Sequence, residues 1–225
     1  MKSKSIVFAL ALSGASALVQ VQAQDVAAGQ SKSAMCIGCH GIKGYQASFP
    51  EVHRVPRISG QGAKYIVASL NAYKKGDRRH PTMRAIAASL NEQDMLDLAA
   101  FYEQHKPSSV KRVADVPELQ PSAEVAQLLT KGACASCHGV NYSKPIDGGY
   151  PKLAGQYSDY LYVSLKAYKE QNHALLGRNN AIMVAQVQQY TLKELRAMAN
   201  YLGSLPTELY TVPQSKFRWG SAADR

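Results

Sequence analysis

The chain has 225 residues, enough for one large domain or two small ones. It carries 26 basic and 16 acidic side chains, and this excess of positive charge suits nucleic acid, an anionic membrane surface or an acidic protein as a partner. Nucleic acid is disfavoured, because no five basic residues occur in a row.

Residues 1–23 have the layout of a secretory signal peptide. Lys2 and Lys4 precede a mostly apolar stretch, and Val21-Gln22-Ala23 resembles a cleavage site. A membrane-spanning helix needs about 20 apolar residues, and this stretch is shorter and is interrupted by serine and glycine. We therefore expect an exported, periplasmic protein. Its mature form would keep 24 basic and 16 acidic side chains, with 13 of the basic ones in residues 24–114.

The mature sequence contains the same set of landmarks twice. Each set comprises a Cys-x-x-Cys-His motif, a proline followed by Gly-Gln, and a methionine, at residues 36–40, 56–61 and 83 and again at 134–138, 151–156 and 183. Equivalent residues are 98, 95 and 100 positions apart, so the order is kept while the loops change length. This pattern predicts one domain that has been duplicated.

Domain boundaries follow from composition. We expect a first domain at 24–106, a proline-containing linker without helical period at 107–121, and a second domain at 122–205. Residues 206–225 form a C-terminal extension beyond a minimal second domain. Disorder or packing back on the surface is favoured for this extension over docking a partner.

Both halves are predicted to be helical. Apolar residues from Ile66 to Tyr73 form a stripe at i, i+4 and i+7, and Gly76 is well placed to end that helix. Two later helices are predicted to begin at the capping pairs Asn91–Asp94 and Thr191–Glu194. No segment alternates convincingly enough for a strand, so the predicted fold class is all-α.

The Cys-x-x-Cys-His motif is the attachment sequence for haem c. On one helical turn, two thiols three positions apart can reach the two vinyl groups along one porphyrin edge and form thioethers. The next residue then places its imidazole on the iron. We therefore predict two covalently bound haem c groups, attached through two cysteine pairs and with a histidine on each iron: Cys36, Cys39 and His40, and Cys134, Cys137 and His138.

Other uses of paired cysteines fit less well. A thioredoxin-like redox pair needs a βαβ setting, which the sequence lacks. Structural disulfides suit an exported protein but give no reason for a histidine after each pair. A zinc site would bring both pairs together or add a histidine at zinc-finger spacing.

The second axial ligand has several candidates, namely His53, His80, Met83 and His105 in the first half and His173 and Met183 in the second. The repeat favours the methionines, because each lies eight residues before a helix cap and none of the histidines has a counterpart. We interpret His53, His80 and His173 as surface side chains. A thioether opposite an imidazole raises the reduction potential and keeps oxygen and peroxide from the iron, so such a haem can exchange electrons and do little else.

Pro56 and Pro151 follow the haem histidines by 16 and 13 residues. A proline carbonyl at this point can accept the imidazole Nδ1–H, which fixes the orientation of the ring. We favour this contact over the alternative of a plain turn proline.

With these motifs, each half resembles a class I cytochrome c domain, and residues 25–205 together resemble the cytochrome c4 family. The resemblance implies two tandem domains related by a pseudo-twofold axis, with His40 and Met83 on one iron and His138 and Met183 on the other. It also implies an electron carrier, not an enzyme, that passes electrons from the respiratory chain to a terminal oxidase and associates peripherally with the membrane.

One departure from the family pattern concerns the first helix of each half. The family usually has a small residue there, which lets the last helix approach closely. Gly29 can play this part in the first half, but the equivalent position in the second half is Gln127. The packing of the second half is therefore predicted to differ.

Two other functions stay open. The chain could be the electron-accepting subunit of a periplasmic dehydrogenase, and the sequence barely separates this function from that of a free carrier. A dihaem peroxidase would also have two Cys-x-x-Cys-His motifs, but it needs an iron that opens for peroxide, and the matched methionines argue against that.

Overall fold

The computed structural model of the chain describes residues 23–110, 113–170 and 173–213. The predicted signal peptide, except for its last residue, lies outside these ranges, as do residues 214–225 of the C-terminal extension. Within the described ranges the chain forms ten helices and one pair of very short strands. None of these helices is long and apolar enough to cross a membrane.

The first half contains five of these helices, α1 (Val26–Lys32), α2 (Ala34–His40), α3 (Ala63–Lys75), α4 (Pro81–Ala88) and α5 (Glu92–Gln104). Helix α5 packs against both α1 and α3, and α3 also packs against α4. Between α2 and α3, β1 (Gln46–Ala47) pairs antiparallel with β2 (His53–Arg54). This strand pair was not predicted, because two residues are too short for a period-2 pattern to show.

The second half repeats this order with α6 (Ala123–Lys131), α7 (Ala135–His138), α8 (Ser158–Lys169), α9 (Ala181–Gln188) and α10 (Leu192–Ser204). Helix α8 packs against α9 and α10, as α3 packs against α4 and α5. The described chain is therefore dominated by helix, as the sequence predicts.

The predicted helix ends are confirmed. The Asn91 side chain accepts from Asp94 N (2.8 Å), and the Asp94 carboxylate accepts from Asn91 N (3.0 Å), which completes a capping box at the start of α5. Thr191 and Glu194 make the same pair of bonds at the start of α10. Gly76 ends α3 with φ +89°, a left-handed conformation that glycine adopts at no steric cost.

Each half has its own apolar core, built on its last helix. The cores centre on Met95, Leu98 and Ala99 of α5 and on the equivalent Leu195, Met198 and Ala199 of α10. All six side chains are buried.

The first helix packs differently in the two halves, as predicted. A Cβ on Gly29 would lie 2.0 Å from the carbonyl oxygen of Asp97, so the backbones of α1 and α5 are in contact. Gln127 points to solvent instead, and α6 buries the larger Val125 and Leu128.

Two glutamines join the halves reciprocally. The Gln61 amide accepts from Lys152 N (2.9 Å) and donates to Lys152 O (3.1 Å), while Gln156 makes the same two bonds with Arg57 (3.0 and 2.8 Å). Both glutamines are buried. Such an exchange of equivalent contacts is what a local twofold axis produces.

The described part of the C-terminal extension packs back on the protein, which is one of the two outcomes favoured for it. Leu209 is 1% exposed, Glu208 pairs with Lys152 (3.1 Å), and Tyr210 N donates to Ser59 O of the first half (2.9 Å). Residues 206–213 therefore run from the end of α10 onto the first half.

Candidate functional site

In both halves the Cys-x-x-Cys-His motif ends a helix. His40 is the last residue of α2 and His138 the last residue of α7, and a glycine follows each of them. All four cysteines lie within the described residues, and none is in a disulfide. Among the described residues, no three His, Cys, Asp or Glu side chains converge in a way that could hold a metal ion. The paired cysteines are thus not arranged as a zinc site, which needs three or four such ligands.

The predicted contact between histidine and proline is present in both halves. Nδ1 of His40 lies 2.8 Å from Pro56 O, and Nδ1 of His138 lies 3.0 Å from Pro151 O. A carbonyl can only accept, so each Nδ1 carries the proton and each Nε2 keeps a free lone pair. Burial lowers the pKa of both histidines, against the opposing effect of the bond to the carbonyl. Burial therefore favours the neutral imidazole in both rings, which is the form that binds a metal.

Met83 and Met183 occupy the same place in their helices. Each lies in the first turn of an eight-residue helix, α4 or α9, and its backbone N–H is bound by the residue that caps that helix. The cap is His80 Nδ1 in the first half (3.3 Å) and Asn180 Oδ1 in the second (3.1 Å). Both methionine side chains are partly buried.

All of the predicted site residues line one continuous cavity of about 960 Å³, near the upper end of the roughly 300–1,000 Å³ usual for ligand pockets. The wall contains both motifs and both methionines: Cys36, Cys39, His40, Met83, Cys134, Cys137, His138 and Met183. Most of the remaining wall is apolar and comes from the helices of both halves, including Ile66, Leu98, Leu161 and Met198.

The four histidines that have no equivalent in the other half lie in different environments. The interpretation of His53 as a surface side chain was wrong, because it is 5% exposed and its Nδ1 lies 2.8 Å from Glu51 O. His80 is partly buried and caps α4, so it too is more than a surface side chain. His173 is exposed, as predicted. His105 stacks on Phe101 at 4.6 Å and contacts Ser59.

The family model described as Cytochrome c matches the chain twice, at residues 26–106 and 122–206. The chain belongs to the cytochrome c family. It is 29% identical over 220 residues to cytochrome c4 of Azotobacter vinelandii, and the match covers 90% of this chain and 99% of that one. It is 27% identical over 204 residues to the thiosulfate dehydrogenase electron acceptor of Thiomonas intermedia, covering 88% and 90% of the two chains.

The crystal structure of reduced recombinant cytochrome c4 from Pseudomonas stutzeri is also similar, with a TM-score of 0.61 and 27% identity. The match covers 81% of this chain and 100% of that one. The predicted pair of tandem cytochrome c domains is therefore confirmed, and so is the resemblance to cytochrome c4. With them, the prediction of two covalent haem c groups on the two cysteine pairs is confirmed.

In a cytochrome c, haem supplies an iron that changes oxidation state, and the protein supplies ligands, orientation and burial. Haem is an apolar disc with two anionic propionates. The cavity fits two such groups, because its wall is mostly apolar and contains both cysteine pairs. Where the halves meet, the backbones of Arg78 and Arg178 pair in a single antiparallel β-bridge. Both residues line the cavity. Arg78 Nη2 donates to the Tyr65 hydroxyl (2.9 Å), and Arg178 Nη2 donates to the Tyr160 hydroxyl (3.2 Å).

The electrostatic effect of the two arginines is visible at Tyr160. Burial would raise the pKa of Tyr160, but the Arg178 and Arg78 guanidinium groups lower it to about 8. A positive electrostatic potential that stabilises a buried phenolate will also stabilise a carboxylate. An anionic group such as a haem propionate would be stabilised next to these two guanidinium groups.

The arginine pair was not predicted from the sequence. The repeat contains a signal for it, because Arg78 and Arg178 are 100 residues apart, the same spacing as the two methionines. The tyrosines of the helices before them, Tyr65 and Tyr160, also match across the repeat. The sequence shows this equivalence but does not show that the two arginines come together.

Proposed function

We propose that this cytochrome c is a periplasmic electron carrier in which each iron has one histidine and one methionine ligand. His40 and Met83 would hold the first iron, and His138 and Met183 the second. The observation that supports this proposal is that the histidine, the thiol pair and the methionine of each half line the same cavity. The proton on each Nδ1 leaves Nε2 as the ligand atom.

Two occupied axial positions restrict the chemistry of each haem to electron exchange. Oxygen or peroxide would have to displace a methionine before it could bind. The peroxidase alternative is therefore disfavoured. Peroxide consumption by the reduced protein, measured with an electron donor in excess, would reverse this ranking.

The axial ligands are tested by redox titration of the Met83→His and Met183→His variants. Imidazole stabilises ferric iron more than a thioether does, so each substitution should lower one potential and leave the other near its original value. Met35→His is a suitable control. Met35 is 49% exposed and is not among the residues that line the cavity, so its replacement should leave both potentials unchanged.

The ligand assignment would be wrong if either methionine variant kept both original potentials. An oxidised parent protein with a five-coordinate iron would also contradict it. Fewer than two porphyrins per chain would overturn the dihaem assignment itself.

The partners are proposed to be a respiratory electron donor and a terminal oxidase, with peripheral association at the membrane. The first half is the more basic one, with 13 basic and 7 acidic side chains in residues 24–114, so a partner with an acidic docking face is favoured. Electron transfer to such a partner should slow as salt is added, because screening weakens the attraction. A rate that stays flat from low to high salt would count against electrostatic docking.

A second candidate partner is a periplasmic dehydrogenase that holds the chain as its electron-accepting subunit. The similarity to a protein named thiosulfate dehydrogenase electron acceptor favours this candidate. Purification of the native protein distinguishes the two. A stable complex with a dehydrogenase subunit would favour the subunit role, and a free monomer would favour the diffusible carrier.

A further inference from the structure

At the end of helix α9, one lysine binds three backbone carbonyl groups. Lys169, the last residue of α8, donates from Nζ to the carbonyl oxygens of Val187 (3.0 Å), Gln188 (3.1 Å) and Tyr190 (2.8 Å). An ammonium group has three N–H donors, so all of them are used. Their acceptors lie at the C-terminal end of α9, where carbonyls lack helix partners and the helix dipole is negative.

These carbonyls belong to residues 187–190, which form the elbow between α9 and α10. The elbow is also fixed from the other side, because the Tyr190 hydroxyl donates to Leu128 O of α6 (2.9 Å). Val187 and Tyr190 are 2% and 4% exposed. Since α9 is only eight residues long, about 12 Å, anchoring its last turn also restricts its first turn, where Met183 lies.

The first half has a weaker version of this arrangement. Lys74 matches Lys169 in the repeat, but among the described residues it makes one such contact, with the carbonyl of Leu90. Leu90 is the equivalent of Tyr190 and has no hydroxyl to bind α1. The methionine helix of the second half is therefore anchored at more points than that of the first.

We propose that Lys169 is a positioning residue for the second haem. By holding the α9–α10 elbow through three carbonyls, it keeps Met183 on the iron in the oxidised state. That state needs the support, because a soft thioether binds ferric iron less well than ferrous iron. The proposal rests on Met183 being an axial ligand, as in the proposed function.

The experiment measures how readily added imidazole replaces methionine in the oxidised protein. It uses the full chain with both haems and a Met83→His background, in which only the second iron has a methionine to lose. Lys169→Met keeps the aliphatic chain and removes the three donors. We expect it to tighten apparent imidazole binding by roughly tenfold, because the apparent Kd falls as the fraction of iron without methionine rises.

Three variants control this measurement. Lys166→Met changes a lysine one turn earlier in α8, which pairs with Glu51 (3.8 Å) and Glu170 (4.0 Å), and it should bind imidazole as the background protein does. Lys169→Arg keeps the charge and several donors, and it should restore most of the protection. Lys169→Gln keeps two N–H donors, so it should increase the apparent affinity for imidazole less than Lys169→Met does. It replaces Lys169→Met in the comparison if that variant does not accumulate.

Lys74→Met, in a Met183→His background, makes the matching change in the first half. Its effect should be smaller than that of Lys169→Met, since one carbonyl contact is lost and not three.

The outcomes separate this proposal from the proposed function. If the background protein shows no methionine–iron charge-transfer band when oxidised, the ligand assignment fails and the role of Lys169 fails with it. If the band is present but the Lys169 variants bind imidazole within twofold of the background, only the role of Lys169 is overturned.

Discussion

At Gly29 the backbone of a neighbouring helix occupies the place of a side chain. A Cβ there would lie 2.0 Å from Asp97 O and 2.7 Å from Phe101 Cβ. The Asp97 carboxylate adds two contacts across the same helix pair, accepting from Asp25 N (2.9 Å) and pairing with Lys32 (2.7 Å). The contact of α1 with α5 therefore depends on a residue without a side chain.

Gly29→Ala is expected to destabilise the haem-loaded protein by about 3 kcal/mol, because the helices must move apart or strain. The free energy of unfolding can be measured by urea titration followed by circular dichroism. Gly38→Ala is the control, since in the described part of the chain no atom outside its own helical backbone and chain neighbours lies within 4 Å of a Cβ at that position. It should be neutral or stabilising by up to about 1 kcal/mol. Equal losses in the two variants would contradict this account of Gly29.

The residues that line the cavity could be predicted where they depend on local spacing. The cysteine pairs, their histidines and the proline carbonyls follow from short motifs, and the repeat indicates the two methionines, whose role as ligands stays a prediction. The burial of His53 could not be predicted, because it depends on a strand pair with no pattern of its own. The pairing of Gln61 and Gln156 with the opposite half was also missed, since a Gly-Gln dipeptide gives no indication of a distant partner.

At the scale of elements, helix ends were the most predictable feature. Capping boxes and a C-terminal glycine act within a few residues, so the sequence is sufficient to locate them. For the C-terminal extension the sequence favoured two outcomes, disorder or packing back on the surface, and did not decide between them. Tyr210 bonds to Ser59, which is about 150 positions away in the chain, and no local periodicity reports such a contact.

This C-terminal segment is expected to stabilise the two halves against each other. Thr207 packs close to Gly155 of the second half, while Glu208 O lies 2.1 Å from where a Cβ of Gly60 in the first half would be. Removing residues 206–225 should therefore lower the midpoint of thermal unfolding by several degrees, roughly the effect of losing 1–2 kcal/mol in a protein of this size.

A shorter truncation after Pro213 tests whether the described contacts are responsible. It keeps Glu208, Leu209 and Tyr210 in place and should melt close to the full chain. A large loss on this shorter truncation, with no further loss on the longer one, would show that residues 206–213 do not stabilise the fold.

For the whole molecule, the important feature is that both cysteine–histidine motifs line one cavity whose wall contains two neighbouring arginines. Arg78 and Arg178 come from opposite halves, yet they lie side by side on its wall. A positive charge there favours the reduced haem, because the reduced haem carries one positive charge fewer than the oxidised haem. Because the cavity is shared, this effect should reach both irons.

Arg78→Gln is therefore expected to lower both reduction potentials, by roughly tens of millivolts for a charge acting through a partly polar medium. Spectroelectrochemical titration measures both values. Arg84→Gln removes an exposed charge from α4 and should have a smaller effect, since solvent screens it. Unchanged potentials in Arg78→Gln would mean that the arginine pair does not act on the haems.

The hydrogen bonds that Gln61 and Gln156 each make to the opposite half have a consequence for electron transfer at low protein concentration. Two separate single-haem proteins using the same contact would come apart on dilution, and exchange between their irons would then depend on how often they met. Joined in one chain, the halves keep a fixed local concentration of each other. Electron sharing within a molecule should therefore be as fast in a dilute compartment as in a crowded one.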